Sequence, residues 1–256
     1  MQFAILGSGS AGNSTFLATE RVRILVDAGL SCREIERRML LIGLRLDPLD
    51  AVLITHEHTD HINGLARLAA RLKVPVFISE ATLASLPAKK KLPAVEYFRP
   101  GHSFQIGDVL VEPFTIPHDA VDPVGFRFTS AGVRIAQATD LGYITPNVKD
   151  MIRGCHALIL ESNHDLEMLR NGPYPWYVKQ RVMSRDGHLS NSATADYLRD
   201  EFDAEARLLI LAHLSEQNNH PQIARLEASS ALEQRDATDT RLVVSSQTEP
   251  TEVFTF

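Results

Sequence analysis

The chain reads Thr55-His56-Glu57-His58-Thr59-Asp60-His61 between an apolar run at residues 51–54 and an amphipathic run at residues 62–72. The apolar run predicts a strand, and the apolar spacing of the second run predicts a helix. Imidazole nitrogens and carboxylate oxygens are ligands that Zn²⁺, Mn²⁺ or Fe²⁺ take in proteins. This HxHxDH pattern at a strand-to-helix turn therefore predicts a metal site built on His56, His58, Asp60 and His61.

Three further candidate ligands each stand just past the end of a later apolar run. They are His118 after the run 109–114, Asp140 after the run 133–136, and His213 after the run 208–212. In α/β sheets, ligands and active sites gather outside the C-terminal ends of the strands. We therefore expect these residues to join the first cluster and the site to hold two divalent metal ions, with Zn²⁺ preferred and Mn²⁺ or Fe²⁺ as alternatives.

The remaining pattern alternates short apolar runs with amphipathic ones. Strands are predicted at 3–6, 24–26, 51–54, 74–78, 109–114, 124–128, 133–136, 157–160, 208–212 and 242–245, and helices at 32–42, 62–72, 190–202 and 221–233. Such a mixture predicts an α/β layer architecture. Residues 164–187 fit neither period, which favours a surface loop; the alternative is a lid or substrate wall over the site.

The composition is that of an ordinary globular protein, with 256 residues, 44% hydrophobic and 23% charged. The net charge of −6 gives no global attraction to nucleic acid or to an anionic membrane. Cys32 and Cys155 form no CxxC pattern, which predicts reduced thiols in a cytoplasmic protein. We expect no signal peptide and no membrane span, because the N-terminus lacks a basic segment and every apolar run is short.

The quoted motif, together with the later His, Asp and His, resembles the metallo-β-lactamase superfamily. The segments 7–14 and 26–29 are also similar to the opening hairpins of that fold, so the resemblance covers nearly the whole chain. It implies one domain over residues 1–256, folded as an αβ/βα sandwich of two β-sheets flanked by helices. It also implies the ligand sets: His56, His58 and His118 for the first ion, Asp60, His61 and His213 for the second, with Asp140 as the bridge.

Two later segments carry the resemblance further. Glu161-Ser162-Asn163 and Gly187-His188-Leu189-Ser190-Asn191 are similar to the segments holding the Glu and His that assist catalysis in ribonuclease Z. The resemblance is strongest to the YycJ/WalJ-type bacterial proteins, which are regarded as exonuclease-like. The intervals between His118, Asp140 and His213 are too short for the tRNA-gripping arm of ribonuclease Z or the extra domain of β-CASP nucleases.

The resemblance implies a dinuclear metal-dependent hydrolase, namely a phosphodiesterase or exonuclease that acts on nucleic acid. Asp60 would orient the nucleophile, and His188 would protonate the leaving oxygen while Glu161 fixes its tautomer. The other interpretation of His188 is a residue that begins a helix and has no catalytic role. A thioester or lactone hydrolase resembling glyoxalase II uses the same metal motif, and a non-catalytic interaction protein is the third alternative.

Several other features bear on a single-stranded DNA or RNA substrate. The loop of Gly9, Ser10, Gly12 and Asn13 fits either phosphate binding by backbone N–H groups or a tight hairpin turn. The basic residues Lys89, Lys90, Lys91, Arg33, Arg37 and Arg38 are candidate phosphate contacts or a solvated face. The rings of Tyr174, Trp176 and Tyr177 are candidates for base stacking. Asn218 and Asn219 are expected near the pocket, whereas Glu57, His102, His156, His164 and His220 are assigned no role.

Overall fold

A computed structural model of the protein describes residues 1–47, 49–87, 92–203 and 205–256. The strands are β1 Gln2–Gly7, β2 Ser14–Ala18, β3 Arg23–Val26, β4 Ala51–Leu53, β5 Val76–Ser79, β6 Val95–Phe98, β7 Phe104–Ile106, β8 Val109–Thr115, β9 Val124–Ser130, β10 Val133–Ala138, β11 Ala157–Glu161, β12 Leu208–Ala212, β13 Arg241–Val244 and β14 Phe254–Thr255. The helices are α1 Cys32–Leu41, α2 Thr59–Ile62, α3 Leu65–Leu72, α4 Glu80–Ser85, α5 Pro146–Ile152, α6 Leu166–Asn171, α7 Trp176–Val182, α8 Asn191–Asp200 and α9 Pro221–Gln234.

The strands of the described residues form two sheets of the same size and design. The first has the order β14-β1-β2-β3-β4-β5-β6 and the second has the order β13-β12-β11-β10-β9-β8-β7. Strands β3 to β6 run parallel to one another, as do β10 to β13, while the other pairings are antiparallel. Each sheet therefore presents the C-terminal ends of its parallel strands at one edge, where active-site residues gather in such sheets.

Three apolar clusters hold these layers together. The central cluster joins inward-facing side chains of both sheets, including Phe3, Val26 and Phe126. The second cluster packs α1 and α3 on the outer face of the first sheet, and the third packs α5, α8 and α9 on the outer face of the second. This helix–sheet–sheet–helix order confirms the predicted αβ/βα sandwich.

The elements that the pattern missed are short or lie at sheet edges. They are β2, β6, β7, β14, α4, α5, α6 and α7. The predicted helix at 62–72 is also divided, because α2 ends at Ile62 and α3 begins at Leu65. Gly64 lies between the two helices at a close backbone contact, because a side chain there would fall 2.0 Å from the backbone oxygen of Leu30. Among the described helices, none is both long enough and apolar enough to cross a membrane.

Candidate metal centre

The predicted ligands all lie where the two sheets present strand ends. His56 and His58 occupy the loop after β4, Asp60 and His61 lie in α2, and the other three follow β8, β10 and β12. Asp140 and His213 have positive φ angles of 61° and 56°, a backbone conformation that residues other than glycine adopt infrequently. The chain thus turns sharply at the end of β10 and of β12, and such strain clusters at functional sites.

His56, His58 and His118 form the first candidate group, with ligand atoms all within 4.8 Å of one another. The Nε2 atom of His118 lies 3.3 Å from Nδ1 of His58. The Nδ1 atom of His118 lies 3.2 Å from the backbone oxygen of Gly187, and Nδ1 of His56 lies 3.0 Å from the hydroxyl of Thr55. Because Nδ1 of His56 and Nδ1 of His118 are engaged in these contacts, Nε2 of each ring is left to bind a common metal ion. A neutral imidazole that donates from one nitrogen carries a lone pair on the other.

Asp60, His61 and His213 form a second group with the same mutual spacing. The Nε2 atom of His61 lies 3.5 Å from Oδ2 of Asp60, and Nε2 of His213 lies 3.6 Å from the same oxygen. Two neutral imidazoles and one carboxylate are a common ligand set for Zn²⁺ and related ions.

The carboxylate of Asp140 lies between the two groups. Its Oδ2 atom is 3.5 Å from Nε2 of His61 and its Oδ1 atom is 3.3 Å from Nε2 of His213. It also forms a candidate group with His56 and His61. One carboxylate within reach of ligands from both groups is the arrangement that a bridging role requires.

The donor atoms at the centre of these groups are buried and lack hydrogen-bond partners. They include Nε2 of His56, Oδ2 of Asp140 and Nε2 of His213. A buried polar atom without a partner is costly, and cations bound at the two groups would satisfy all three atoms. The residues therefore fit a pair of divalent ions, both in donor type and in arrangement.

Without a metal ion, the charged groups of this site shift one another's pKa values. Burial lowers the pKa of His213, but the carboxylates of Asp140, Asp60 and Glu161 outweigh burial and raise it to about 10. Burial alone would raise the pKa of Asp60, yet its contacts with His213 and His61 lower that pKa below its usual range. Protons and metal ions therefore compete for the same carboxylate–imidazole set, since a metal binds the neutral ring.

The predicted pair of Glu161 and His188 is present, and these two residues form a further candidate metal-binding group with Asp140 and His213. The Nδ1 atom of His188 lies 2.8 Å from Oε1 of Glu161, and the ring centroids of His188 and His213 are 5.2 Å apart. Oε2 of the fully buried Glu161 accepts from the N–H of Leu141 and Leu189, at 2.8 and 3.2 Å. Burial opposes the charge of Glu161, but His188 and His213 outweigh it and lower the pKa to about 2, so Glu161 is a carboxylate at neutral pH.

A family model described as "Beta-lactamase superfamily domain" matches residues 22–214. The chain belongs to the β-lactamase superfamily. It is 37% identical over 242 residues to exodeoxyribonuclease YycJ of Bacillus anthracis, covering 92% of this chain and 90% of that protein. It is 36% identical over 240 residues to exodeoxyribonuclease WalJ of Streptococcus pneumoniae serotype 2, covering 92% and 89%. The metallo-β-lactamase fold protein YhfI of Bacillus subtilis has the same fold, with a TM-score of 0.72, 19% identity and 98% of each chain covered.

Two further residues contact the ligand groups, namely Asp27, to which no role was assigned from the sequence, and Asn13, which was named only as part of the small-residue loop. Asp27, fully buried after β3, has Oδ2 2.8 Å from Nδ1 of His61 and accepts hydrogen bonds from the N–H and hydroxyl of Thr55. The Nδ2 atom of Asn13 lies 3.2 Å from Oδ2 of Asp60 and 3.0 Å from Nε2 of His61. Asn13 and Asp27 lie in the segments 7–14 and 26–29, which are similar to the opening hairpins of the superfamily fold. A metal-binding histidine commonly donates its second ring N–H to a carboxylate, and this habit could have pointed to Asp27.

The prediction of a loop over residues 164–187 is wrong. Two helices, α6 and α7, occupy it, and the side chain of Asp165 caps the first by accepting from the N–H of Met168. The turn residues between Gly172 and Pro175 separate the helices, and each is too short to show a 3.6-residue period. The segment still borders the site, because Gly187 contacts His118.

The small-residue loop after β1 is a tight turn whose N–H groups are already bonded. The N–H of Gly9 donates to the side chain of Asn13, that of Ala11 donates to the side chain of Gln247, and that of Gly12 donates to the Gly9 carbonyl. These three groups are therefore not free to bind phosphate, and the hairpin interpretation is the correct one.

The basic residues of α1 do not form a free patch. Arg38 is buried and donates to the backbone oxygens of Leu6 and Gln247, while Arg37 pairs with Glu34. The hypothesis that Arg38 contacts phosphate is therefore wrong. Lys89, Lys90 and Lys91 lie outside the described residues.

Five residues were assigned no role from the sequence, and two others were placed only near the pocket. None of the seven belongs to a candidate metal-binding group of the described residues. The five are Glu57, His102, His156, His164 and His220. Oε1 of Glu57 accepts from the N–H of Val121, at 2.9 Å. Asn218 and Asn219 are buried, and the amide of Asn219 donates to the backbone oxygens of Ser162 and Asn163.

Proposed function

We propose that the chain is a metal-dependent phosphodiesterase that removes nucleotides from the end of a nucleic acid strand. The observation that carries this proposal is the hydrogen bond between His188 and Glu161 beside the metal-ligand groups. The relatives named exodeoxyribonuclease, which align over most of the chain, support the same class of reaction. They also favour DNA over RNA as the substrate.

The proposed cofactor is a pair of Zn²⁺ ions. His56, His58 and His118 would hold one, Asp60, His61 and His213 would hold the other, and Asp140 would contact both. When bound, such a pair lowers the pKa of a shared water and stabilises negative charge on phosphoryl oxygens. Behind this set, Asp27 and Thr55 fix the orientation of His61 and His56.

Proton transfer is the task of the chain's own residues. Asp60 accepts a hydrogen bond from the attacking water and so orients it toward phosphorus. Nδ1–H of His188 donates a hydrogen bond to Glu161, so Nε2 is the nitrogen that serves the leaving group, and the acid is the ring that carries a proton on both nitrogens. As the P–O bond breaks, Nε2 of His188 gives its proton to the departing sugar oxygen, which is a poor leaving group as an alkoxide.

This acid is what separates the proposal from a thioester hydrolase. A thiolate leaves readily without a proton, so an enzyme for thioesters gains little from a histidine held by a buried carboxylate. A strand of unpaired nucleotides is the proposed substrate.

The proposal is tested with the Zn²⁺-loaded protein on two substrates, a 5′-labelled single-stranded oligodeoxynucleotide and a generic thioester. We expect stepwise shortening of the oligonucleotide if digestion starts at its 3′ end, or early release of the labelled nucleotide if it starts at the 5′ end, and little thioester turnover in either case. His118→Ala should abolish cleavage, whereas His102→Ala, a change at an exposed histidine outside the ligand groups, should behave as the wild type. Faster turnover of the thioester, or cleavage that survives His118→Ala and metal removal, would overturn the proposal.

A further inference from the structure

The stretch from Arg170 to Arg185 differs in charge from the rest of the chain. It contains Arg170, Lys179, Arg181 and Arg185 and not one Asp or Glu, although the whole chain carries a net charge of −6. It also presents large aromatic side chains to solvent, since Trp176 is 62% exposed and Tyr177 is 73% exposed. An aromatic ring stabilises a protein when it is packed against other groups. Two adjacent rings that are both exposed to solvent therefore point to a surface that packs against a partner.

Helix α7 carries these rings to the rim of the metal centre. Its Arg181 side chain is 65% exposed, and Nε lies 3.1 Å from Oδ2 of Asp119. The other carboxylate oxygen of Asp119 lies 3.4 Å from Nε2 of His118. Tyr177 and Arg181 are four residues apart in α7. Tyr177 therefore lies on the same helix face as Arg181, and Arg181 contacts Asp119 beside the first group of metal ligands.

A second pair of aromatic and basic side chains lies beside the first. The guanidinium of Arg185 stacks 4.4 Å from the ring centroid of Tyr143, which is three residues after Asp140. The two segments are packed closely, since a side chain at Gly142 would fall 2.1 Å from the backbone oxygen of Arg185. The rim therefore presents two aromatic rings with an arginine beside each, on segments that meet at the metal ligands.

We infer that Tyr143, Trp176, Tyr177, Arg181 and Arg185 form a docking surface, the arginine–aromatic surface, for a single-stranded polynucleotide whose end enters the metal centre. This inference rests on the proposed function. Unpaired bases stack on exposed rings whatever their sequence, and arginines contact the phosphates between them. A duplex does not fit this description, because its bases are already stacked and paired. Arg181 and Arg185 supply the positive charge that such a strand requires. Arg170 instead pairs with Glu167, and the buried Lys179 donates to the backbone oxygen of Arg170.

The test compares two substrates of the Zn²⁺-loaded enzyme, a single-stranded oligodeoxynucleotide and thymidine 5′-(p-nitrophenyl phosphate). We expect Tyr177→Ala to raise KM for the oligonucleotide about tenfold, within the range for one lost stacking contact. Tyr177→Phe should restore the wild-type value, because the ring and not the hydroxyl stacks. Arg181→Ala should reduce the slope of log(kcat/KM) against log[salt] by about one, as expected for one lost phosphate contact.

Matched controls come from the far parts of the fold. Tyr97 lies on the edge strand β6 with its ring exposed, and Arg153 follows α5 with its side chain 68% exposed. Tyr97→Ala and Arg153→Ala should leave both KM and the salt slope as in the wild type. Each therefore matches one test variant in side-chain type and exposure.

Three outcomes would overturn the inference. The first is an oligonucleotide KM and salt slope that neither Tyr177→Ala nor Arg181→Ala changes. The second is an equal loss on the oligonucleotide and the mononucleotide ester, which would mean that the variants act through the metal centre. The third is a preference of the wild type for duplex DNA over single strands. Failure of the wild type to cleave either substrate would instead overturn the proposed function, and the two failures are therefore distinguishable.

Discussion

Replacing His188 by alanine tests the general-acid role directly. The ring is 15% exposed, and its Nδ1 atom is bound to Glu161, so Nε2 is the nitrogen left to serve the leaving group. Alanine removes that proton donor. Glu161 keeps its other partners, namely the N–H of Leu141, the N–H of Leu189 and the ring of His213. We therefore expect the fold and the metal content to persist, with the whole effect in the chemical step.

The expected loss follows from the geometry of this pair. A positioned general acid contributes roughly 10²–10⁴-fold to the rate, which corresponds to about 3–5 kcal/mol of transition-state stabilisation. The Glu161 contact restricts the ring of His188 to one orientation, so we place the loss near the middle of that range, at about 10³-fold. A nitrophenyl diester should lose less than about tenfold, because nitrophenolate departs without protonation.

The assay measures kcat on a dinucleoside phosphate and on bis(p-nitrophenyl) phosphate, with metal content determined by elemental analysis of the same samples. His188→Asn is the matched control, because its amide is able to donate to Glu161 as Nδ1 does but has no proton to transfer. It should be as slow as His188→Ala on the dinucleoside phosphate. Recovery of activity in His188→Asn, or equal slowing of both substrates by His188→Ala, would refute the general-acid role, and loss of metal would show that His188 is a ligand.

Three further predictions concern the groups around the site. Asp140→Ala should lose both metal ions and all activity, since Asp140 forms one candidate group with His56 of the first ligand set and His61 of the second; elemental analysis that finds both metals retained would contradict a bridging role. Asp27→Asn should weaken metal binding at the second group by about 10–100-fold in competition with a chromophoric chelator, because His61 loses its charged partner, and an unchanged affinity would show that the contact is not needed. Burial raises the pKa of Cys155 to about 11, so the thiol should resist a disulfide reagent at pH 8 in the folded protein and react after unfolding in urea; rapid reaction of Cys155 before unfolding would disprove this.

The sequence alone identified the fold and all seven candidate ligands, for reasons that are local. His56, His58, Asp60 and His61 are close in the chain, and the other ligands each follow an apolar run whose length and composition predict a strand. Because the parallel strands of both sheets end at the same edge of the sandwich, ligands placed after strands are brought together. These patterns predict an α/β layer architecture, whereas the confirmed αβ/βα sandwich was implied by the resemblance to the metallo-β-lactamase superfamily.

The sequence could not identify the helices of residues 164–187 or the backbone angles that aim the ligands. Helices α6 and α7 are too short for periodicity and are held by a cap and by tertiary packing. The positive φ angles of Asp27, Asp140 and His213 cost roughly 1–3 kcal/mol each and persist because the surrounding packing imposes them.

The partners behind the ligands were likewise decided only by the tertiary structure. Asp27 contacts His61, Asn13 contacts Asp60 and Arg181 approaches Asp119 across long stretches of chain. Aspartate, asparagine and arginine are common residues, and most of them lie in water without a specific partner. Which carboxylate or amide reaches a given imidazole depends on how two sheets and their helices pack, and that packing is the combined result of many weak contacts that no short motif records.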